Sequence, residues 1–334
     1  MKAYQIESTS GIDALKLVEL PQPQPGFGQV LLRVRATSLN YRDTIVIQGF
    51  YPKQKLPLIP MSDGAGEIVA VGEGVTGLKV GDRVAGCFFQ KWISGKLTKQ
   101  KIESALGGAI DGMLAEFVVL DREGVVLLPD HLSYEEGATL PCAAVTAWQA
   151  LVNKGGITPG ETVLLLGTGG VSIFALQFAK ILGAKVIITS SSDEKLARAR
   201  ELGADETINY KTTPDWDKKV YELTQQKGVD LVIEVGGSGT LGKSLRSVGV
   251  GGRISLIGVL AGAGEVNHNY ILLKSIDVRG IHVGSREMFE AMNRAIAFHQ
   301  LRPVIDRVFP FNEAPEAYGY MQSGSHFGKI VIQI

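Results

Sequence analysis

A short apolar strand runs directly into a glycine turn in the stretch Thr162-Val163-Leu164-Leu165-Leu166-Gly167-Thr168-Gly169-Gly170-Val171-Ser172. Such a turn needs glycine where the backbone bends sharply and where it must closely approach a pyrophosphate, which then lies on the amides of the next helix. Gly167 and Gly169 meet these two requirements. The third glycine of the fingerprint is replaced by Ser172, whose hydroxyl could pack against the strand or donate to phosphate. Residues 167–172 therefore predict a dinucleotide-binding turn, with a purely structural glycine turn as the alternative.

The tip of the next predicted strand indicates which cofactor fits. NAD-specific sites carry Asp or Glu there, about 20 residues past the glycines, to bind the ribose 2′-hydroxyl. Here the tip reads Thr189-Ser190-Ser191-Ser192. Ser190, Ser191 and Lys195 could bind a 2′-phosphate, so the sequence favours NADPH. The serines could instead only cap the following helix. The acidic residues at the start of that helix leave NADH as an alternative cofactor.

On both sides of the turn, short β-branched strands alternate with longer helices. Strands are predicted at 162–166, 186–189, 206–208, 230–234, 253–257 and 278–283, and the helix after the glycine turn should end at Gly183. Such alternation is typical of a parallel sheet with right-handed crossovers. Residues 129–285 are therefore predicted to form an α/β Rossmann domain, a doubly wound parallel sheet that binds NADP.

The N-terminal residues 1–128 show a different pattern of short, alternating strands. In Val30–Ala36 every second residue is apolar, while Arg33 and Arg35 can face water. Similar runs occur at 66–71, 82–88, 117–120 and 125–128, separated by glycine turns, and predict a barrel-like β domain. Residues 286–334 end in an apolar strand that no helix follows, which predicts that the chain returns to complete this first domain.

Composition excludes several classes of protein. The 334 residues are 45% hydrophobic and 20% charged, and 34 acidic residues balance 34 basic ones, which disfavours nucleic acid as a partner. No stretch reaches the roughly 18 uncharged apolar residues of a membrane helix. Cys87 and Cys142 are too few for a disulfide framework. We therefore expect a soluble, cytoplasmic protein that acts on a small molecule.

Five further motifs are distinctive as a set: Asn40-Tyr41-Arg42-Asp43, Gly64-Ala65-Gly66-Glu67, Gly81-Asp82-Arg83-Val84, Val145-Thr146-Ala147-Trp148 and His326-Phe327-Gly328-Lys329-Ile330-Val331. With these motifs and the glycine turn, essentially the whole chain resembles the medium-chain dehydrogenase/reductase superfamily, specifically its zinc-free quinone oxidoreductase branch. The resemblance implies a GroES-like β-barrel domain, which residues 286–334 complete, beside the Rossmann domain. It also implies hydride transfer from NADPH to a quinone or another α,β-unsaturated carbonyl compound.

The same resemblance bears on metal binding. Zinc-dependent members of the superfamily hold their catalytic zinc with a Cys, a His and a second Cys, and the corresponding positions here are Asn40, Ser62 and Cys142. Catalytic zinc sites use three protein ligands, so we expect this chain to bind no metal. Without a Lewis acid, a conjugated acceptor that spreads negative charge is favoured over a simple ketone.

Candidate site residues also follow from the resemblance. It places Asn40 and Asp43 at the nicotinamide end and makes Tyr41 and Tyr51 donors to the substrate oxygen. Asn40 and Asp43 could instead be a helix cap and a first-turn acid, and Tyr51 a packed loop aromatic. Besides the glycine turn and the serine tip, the implied cofactor contacts are Thr146, Tyr210, Gly236, Gly237, Gly258, Val259, Val283, Gly284, Ser285, Gly328 and Lys329.

Other functions remain open. An alcohol dehydrogenase-like carbonyl reductase would share the fold, and a non-catalytic NADPH-binding sensor would share the cofactor site. A short-chain reductase would use Tyr-x-x-x-Lys, which Tyr51 with Lys55 and Tyr270 with Lys274 match, although Pro52 argues against a helix at the first pair.

The apolar run 278–283 would form an exposed sheet edge, so we expect a homodimer paired through it.

Overall fold

The computed structural model describes residues 1–51, 54–258, 260–262 and 264–334. The chain forms two compact units: unit 1 comprises Met1–Val145 with Val283–Ile334, and unit 2 comprises Thr146–His282. The boundaries therefore lie after Val145 and His282, rather than after residues 128 and 285. Residues 134–144 pack against strands of unit 1. The change from strands to helices near Ser133 is thus a change of element type within one unit.

Unit 1 contains a large, mainly antiparallel sheet. Its strands are β1 (Lys2–Gln5), β2 (Lys16–Glu19), β3 (Gln29–Leu39), β4 (Asp63–Val71), β5 (Arg83–Gly86), β6 (Phe117–Asp121), β7 (Val125–Leu127), β14 (Ile305–Pro310) and β15 (Lys329–Gln333). Within the described residues, seven of them form one sheet in the order β14-β15-β3-β4-β5-β7, with β6 also paired to β3, while β1 and β2 form a separate pair. This unit is the predicted β domain.

The last strand, β15, lies inside this sheet. It pairs parallel with β14 and antiparallel with β3, where Ile330 is opposite Leu39. Ile330 and Ile332 of β15 are fully buried in the same core as Leu32 of β3. The C-terminal segment therefore does return to complete the first unit, as the sequence predicted.

Helices of 4 to 14 residues accompany the sheet of unit 1. They are α1 (Tyr41–Ile47), α2 (Lys99–Ile102), α3 (Tyr134–Ala138), α10 (Arg286–His299) and α11 (Ala314–Ser323), and 3₁₀ turns lie at Gly11–Ala14, Arg122–Gly124 and Phe311–Glu313. Helix α3 begins at a reciprocal cap: the Glu136 backbone N donates to Ser133 Oγ at 3.2 Å, and the Ser133 backbone N donates to Glu136 Oε2 at 2.8 Å. Helix α1 directly follows β3, and this connection brings Asn40 to the site described below.

Unit 2 is a doubly wound α/β domain. Its strands are β8 (Thr162–Leu165), β9 (Lys185–Ser190), β10 (Glu206–Asn209), β11 (Val229–Glu234), β12 (Val248–Leu256) and β13 (Asp277–Gly280). Its helices are α5 (Gly170–Ile181), α6 (Asp193–Glu201), α7 (Trp216–Leu223), α8 (Ser238–Ser247) and α9 (Asn269–Leu273). Helix α4 (Val145–Trp148) leads into unit 2, with a π-helical turn of unit 1 before it (Leu140–Ala144) and one of unit 2 after it (Gln149–Asn153).

All strand pairs in unit 2 are parallel, and the order β10-β9-β8-β11-β12-β13 confirms the predicted Rossmann topology. Gly183 follows α5 with a left-handed φ of +78°, as a helix-ending glycine should. Strand β13 is shorter than the predicted run 278–283, because pairing with β12 stops at Gly280. None of the helices in the described ranges combines the length and the apolar character of a membrane span.

Candidate active site

The glycine turn of unit 2 has the backbone that a phosphate-binding turn requires. Gly167 has a φ of +73°, in the left-handed region that favours glycine. Gly169 is the N-cap of α5, a helix of 12 residues whose first amides point into the turn. Ser172 Oγ donates to the Leu166 carbonyl at 2.7 Å. Of the two roles open to Ser172, the structure therefore shows the close contact with the strand.

Several side chains at the tip of β9 lie beside this turn. Ser190 is the last residue of β9 and is buried, and its Oγ is 3.4 Å from Thr168 Oγ1. The Tyr210 backbone N donates to the Ser190 carbonyl at 3.0 Å, which brings half-exposed Tyr210 to the same tip. The structure thus groups Thr168, Ser190 and Tyr210, three residues that the sequence placed at one site.

The start of α6 follows the tip. Ser192 caps this helix, because its Oγ accepts from the Lys195 backbone N at 3.3 Å. Ser191 and Lys195 are partly exposed, and Lys195 lies in the first turn of α6. Asp193 is one of the acidic residues that left NADH as an alternative cofactor, and its Oδ1 accepts from Asn209 Nδ2 at 2.8 Å.

The glycines after β11 are organised by a buried acid that the sequence analysis missed. Glu234 is fully buried, and its Oε1 accepts from the backbone N of Gly236 at 2.7 Å and of Gly237 at 3.0 Å. Gly258 packs so closely that a Cβ there would lie 1.8 Å from the Val235 carbonyl oxygen. Glu234 ends a strand whose other buried residues are all apolar, and that position is the signal that could have identified it. These glycines shape the loops after two neighbouring strands.

The remaining predicted cofactor residues lie in several places. Thr146 is buried in α4, and Val259 lies outside the described residues. Val283 has a left-handed φ of +51°, uncommon for a β-branched residue, and Ser285 caps α10 by accepting from the Met288 backbone N at 3.3 Å. A Cβ on Gly284 would lie 2.4 Å from Val145 Cγ1, and one on Gly328 would lie 2.5 Å from the Val304 carbonyl oxygen.

In unit 1, a buried polar cluster surrounds Asn40. We use the term polar cluster for Asn40, Asp43, Ser62, Asp63 and Lys329, all at most 8% exposed. Lys329 Nζ donates to Asn40 Oδ1 and to the Leu39 carbonyl, both at 2.6 Å. The Asn40 backbone N donates to Asp43 Oδ2 at 2.8 Å, so these two residues do form a helix cap as well.

The three positions that the resemblance equates with zinc ligands lie close to Asp63. Ser62 Oγ donates to Asp63 Oδ1 at 2.8 Å, and the Cys142 backbone N donates to Asp63 Oδ2 at 3.1 Å. Asn40 Nδ2 lies 3.5 Å from Ser62 Oγ. The fold therefore brings Asn40, Ser62 and Cys142 together, as the resemblance implied, around a carboxylate that the sequence analysis did not single out. Its signal was an acid at the buried start of β4.

Arg42 joins the polar cluster to the loop that carries Tyr51. Its Nη1 lies 3.2 Å from Asp43 Oδ1 and donates to the carbonyls of Leu106 at 3.0 Å and Gly107 at 2.9 Å. The guanidinium carbon is 4.5 Å from the centre of the Tyr51 ring, a cation–π distance. Tyr51 is thus a packed loop aromatic in this structure, and Tyr41 is 47% exposed at the start of α1.

Burial dominates the electrostatics of the polar cluster. It raises the pKa of Asp63 to about 6, against the opposing effect of Lys329. It also raises the pKa of Asp43, opposed by Arg42, and lowers the pKa of Lys329, opposed by Asp63. Two cations and two acids therefore balance one another inside unit 1, which is how proteins accommodate buried charge.

The donor set of the cluster does not fit a catalytic zinc ion. Asn40 Oδ1 already accepts from the Lys329 ammonium, and Ser62 Oγ donates to Asp63. Burial raises the pKa of the Cys142 thiol, which disfavours the thiolate that zinc binds. In the part of the chain that the structure describes, no group of three or more His, Cys, Asp or Glu could hold a metal ion.

Comparisons with known proteins agree with this architecture. Residues 26–130 match the alcohol dehydrogenase GroES-like domain model, and residues 170–297 match the zinc-binding dehydrogenase model. The chain is 47% identical to a zinc-type alcohol dehydrogenase-like protein of Schizosaccharomyces pombe, over 98% of this chain and 97% of that protein.

Two solved structures extend the comparison. A structure described as an NAD-dependent alcohol dehydrogenase has a TM-score of 0.92 and 35% identity, and covers 100% of both chains. A quinone oxidoreductase of Pseudomonas syringae has a TM-score of 0.85 and 31% identity, over 100% of this chain and 99% of that one.

The GroES-like unit, the Rossmann unit and these matches define a nicotinamide-dependent oxidoreductase of the alcohol dehydrogenase type. The chain belongs to the medium-chain dehydrogenase/reductase superfamily, as its motifs predicted.

Proposed function

We propose that the protein transfers hydride from NADPH to a quinone or another α,β-unsaturated carbonyl compound without a catalytic zinc ion. The observation that carries this proposal is the donor set of Asn40, Ser62 and Cys142, an amide, a hydroxyl and a thiol with a raised pKa, at the positions that the resemblance equates with zinc ligands. Because such a site offers no metal Lewis acid, an acceptor that delocalises its own negative charge is the favoured substrate. The similarity to a quinone oxidoreductase supports this class of acceptor.

Each unit has a separate task in this proposal. The turn 167–172 and the α5 amides hold the pyrophosphate, and Ser190, Ser191 and Lys195 bind the ribose 2′-phosphate. When bound, the nicotinamide supplies one proton with two electrons as hydride, and a second proton from water completes reduction of the acceptor. In unit 1, Asn40 is the residue proposed to face the nicotinamide end, and fully buried Asp43 fixes Asn40 by accepting from its backbone N.

NADPH is proposed over NADH on the chemistry of the β9 tip. The tip carries hydroxyls where NAD-specific sites carry a carboxylate, and Asp193 is hydrogen bonded to Asn209. The similar structure described as NAD-dependent makes a direct comparison of both cofactors necessary.

Steady-state turnover tests the proposed function. Purified protein should oxidise NADPH with a benzoquinone or a naphthoquinone, with kcat/KM for NADPH at least about tenfold above that for NADH, equal to about 1.4 kcal/mol. Treatment with a chelator should leave the rate unchanged. Tight NADPH binding without turnover of any quinone or enone would instead identify a sensor, and turnover restricted to simple ketones would identify a carbonyl reductase.

We also propose a homodimer paired through β13. This strand is bonded only to β12 on the described path of the sheet and therefore ends it with a free edge. Light scattering should give twice the 35.8 kDa of one chain at micromolar concentration. A proline at Val278 should halve that mass, since proline cannot donate to a strand partner. A wild-type monomer contradicts this assembly.

A further inference from the structure

Glu234 is a buried carboxylate at the end of β11. Its side chain is fully buried, and Oε1 accepts from the backbone N of Gly236 at 2.7 Å, the backbone N of Gly237 at 3.0 Å and Thr240 Oγ1 at 2.6 Å. The other oxygen, Oε2, accepts from Ser244 Oγ. All four donors are uncharged, so hydrogen bonds from the following turn and from α8 stabilise this carboxylate.

These contacts fix a turn whose backbone requires glycine. Gly237, the N-cap of α8, has a φ of +82°, which favours glycine, and its amide donates to the Glu234 carboxylate. A Cβ on Gly236 would lie 2.2 Å from Thr240 Oγ1, the hydroxyl that donates to the same carboxylate oxygen. The turn and the start of α8 therefore pack around the acid, which supplies the acceptor for the two glycine amides.

The same region holds the loop after β12. The Glu234 carbonyl accepts from the backbone N of Ile257 at 2.8 Å, and the Gly236 carbonyl accepts from the backbone N of Ala261 at 2.8 Å. A Cβ on Gly239 would lie 2.1 Å from the Ala261 carbonyl oxygen. The two loops are thus in direct contact, and the shape of the first constrains the second.

These loops lie at the edge of the sheet where a dinucleotide binds. In the strand order β10-β9-β8-β11-β12-β13, the chain proceeds outward from β8 in one direction and from β11 in the other. A doubly wound sheet binds its ligand at the carboxyl ends of the strands, where the order reverses. The glycine turn after β8 and the tip of β9 lie on one side of that point, and the loops after β11 and β12 lie on the other. One side takes the adenosine half of the cofactor, which leaves the other side for the nicotinamide half.

We propose that Glu234 is a positioning residue that holds the loops after β11 and β12 in the shape that receives the nicotinamide half of the cofactor. A loop that is already ordered loses less conformational entropy when it binds a ligand. The adenosine half lies against the turn after β8, and Glu234 does not contribute to its affinity. This role rests on the dinucleotide binding of the proposed function, but not on the choice of NADPH or of the acceptor.

Glutamine is a conservative replacement that separates hydrogen bonding from charge. The two glycine amides only donate, so Oε1 of a glutamine must face them. Its Nε2 then faces Ser244 Oγ, which can accept because a hydroxyl both donates and accepts. Glu234→Gln therefore keeps the acceptor of the turn and removes the charge.

Removal of the acid requires variants that fold. Glu234→Met alone leaves four buried donors without a partner, which destabilises unit 2. The triple variant E234M/T240V/S244A also removes the two hydroxyl donors. T240V/S244A is its matched control, because it lacks the same hydroxyls and keeps the acid. The two variants differ only in the acceptor of the glycine amides.

Calorimetry with whole and half cofactors tests the positioning role. The ligands are NADPH and NADH, together with 2′,5′-ADP and 5′-ADP, which lack the nicotinamide. Relative to T240V/S244A, the triple variant should bind the dinucleotide that wild type prefers at least about tenfold more weakly, while the Kd for the matching ADP changes less than about twofold. The affinity of E234Q for that dinucleotide should lie within about threefold of wild type.

Three results overturn the proposal. Equal weakening of the dinucleotide and of its ADP half would mean that Glu234 only stabilises the fold. An unchanged affinity for the dinucleotide in the triple variant, or a loss in E234Q as large as in the triple variant, excludes positioning through these hydrogen bonds. If wild-type protein binds the dinucleotide but turns over no quinone or enone, the proposed function fails, and the comparison of whole and half cofactors still decides the role of Glu234.

Discussion

The glycine turn of unit 2 and the polar cluster of unit 1 are built in opposite ways. The turn uses backbone: Gly167 and Gly169 provide conformation and access, and Ser172 bonds to the neighbouring strand. The cluster uses side chains, and its members come from the N-cap and first turn of α1, from the start of β4 with the residue before it, and from β15. A backbone site tolerates change anywhere except in its glycines, whereas a buried side-chain site depends on every charge it contains. The following predictions test that difference.

The largest expected effect is on the stability of the cluster. Arg42→Met leaves Asp43, which is fully buried, without its cation, and should lower the free energy of unfolding by about 3–5 kcal/mol. Arg35→Met is the matched control, because the Arg35–Glu67 pair at 3.2 Å is about one-third exposed and should cost at most about 1 kcal/mol. Urea denaturation measures both. Equal losses of unfolding free energy in the two variants would show that the cluster is no more sensitive to the loss of a cation than the surface pair is.

Cofactor affinity should show the next largest effect. Gly167→Ala strains a φ of +73° and places a methyl group in the turn, and it should weaken NADPH binding about 30-fold, equal to about 2 kcal/mol. Gly160→Ala is the control: Gly160 has a φ of +88° and, like Gly167, open space around a Cβ. Calorimetry and thermal unfolding should find similar stability losses in both variants but weakened binding only in Gly167→Ala. If the turn binds no ligand, Gly167→Ala and Gly160→Ala should not differ in their affinity for NADPH.

The pH dependence of stability tests the cluster more finely. The pKa of Asp63 is about 6 when folded, above the roughly 3.9 of an unfolded chain, so the folded protein holds this proton more tightly. The stability contributed is therefore complete below about pH 3.9 and is lost as pH rises through about 6. From pH 5 to 7.5, the unfolding free energy of wild type relative to D63N should fall by about 1.4 kcal/mol. The groups facing Asp63 are Lys329, Asp43, Asn40 and Ser62. If the difference in unfolding free energy between wild type and D63N does not change from pH 5 to 7.5, the raised pKa of Asp63 is contradicted.

The smallest expected effect is on cofactor choice. Lys195→Ala should raise KM for NADPH about fivefold, equal to about 1 kcal/mol, and leave KM for NADH unchanged, because NADH lacks the 2′-phosphate that the partly exposed lysine is proposed to bind. Lys211→Ala serves as the control, since Lys211 is an exposed lysine just past β10. A parallel loss with both cofactors would mean that Lys195 stabilises α6 rather than selects NADPH.

The same contrast explains what the sequence could predict. Strands, the helix ending at Gly183 and the glycine turn follow from neighbours in the chain, and the structure confirms them. Asn40 and Lys329 could be proposed only from their motifs, because their contact joins residues 289 positions apart. The two compact units divide after Val145, later than the predicted boundary at residue 128, because residues 134–144 pack against strands of unit 1.

Individual side chains were harder to predict for a related reason. Asp63 and Glu234 are buried acids at strand ends, and their importance comes from donors that the folded chain brings to them. The local sequence shows that such an acid lies next to apolar residues, but it does not show which groups donate hydrogen bonds to the carboxylate. The sequence left two roles for Ser172, packing against the strand or donating to phosphate, and its hydrogen bond to the Leu166 carbonyl shows the first.

The position of β15 has a consequence for how the protein is made. During synthesis, β3 leaves the ribosome long before β15, while residues 146–282 are complete before the segment that finishes the first unit. The nascent chain must therefore keep the end of one edge of β3, Ala36–Leu39, without its β15 partner through most of translation, and an unpaired strand edge is prone to aggregation. Ribosomes that stop early would release chains with a finished nucleotide-binding unit but an open sheet, and we expect such products to need chaperones or to be degraded.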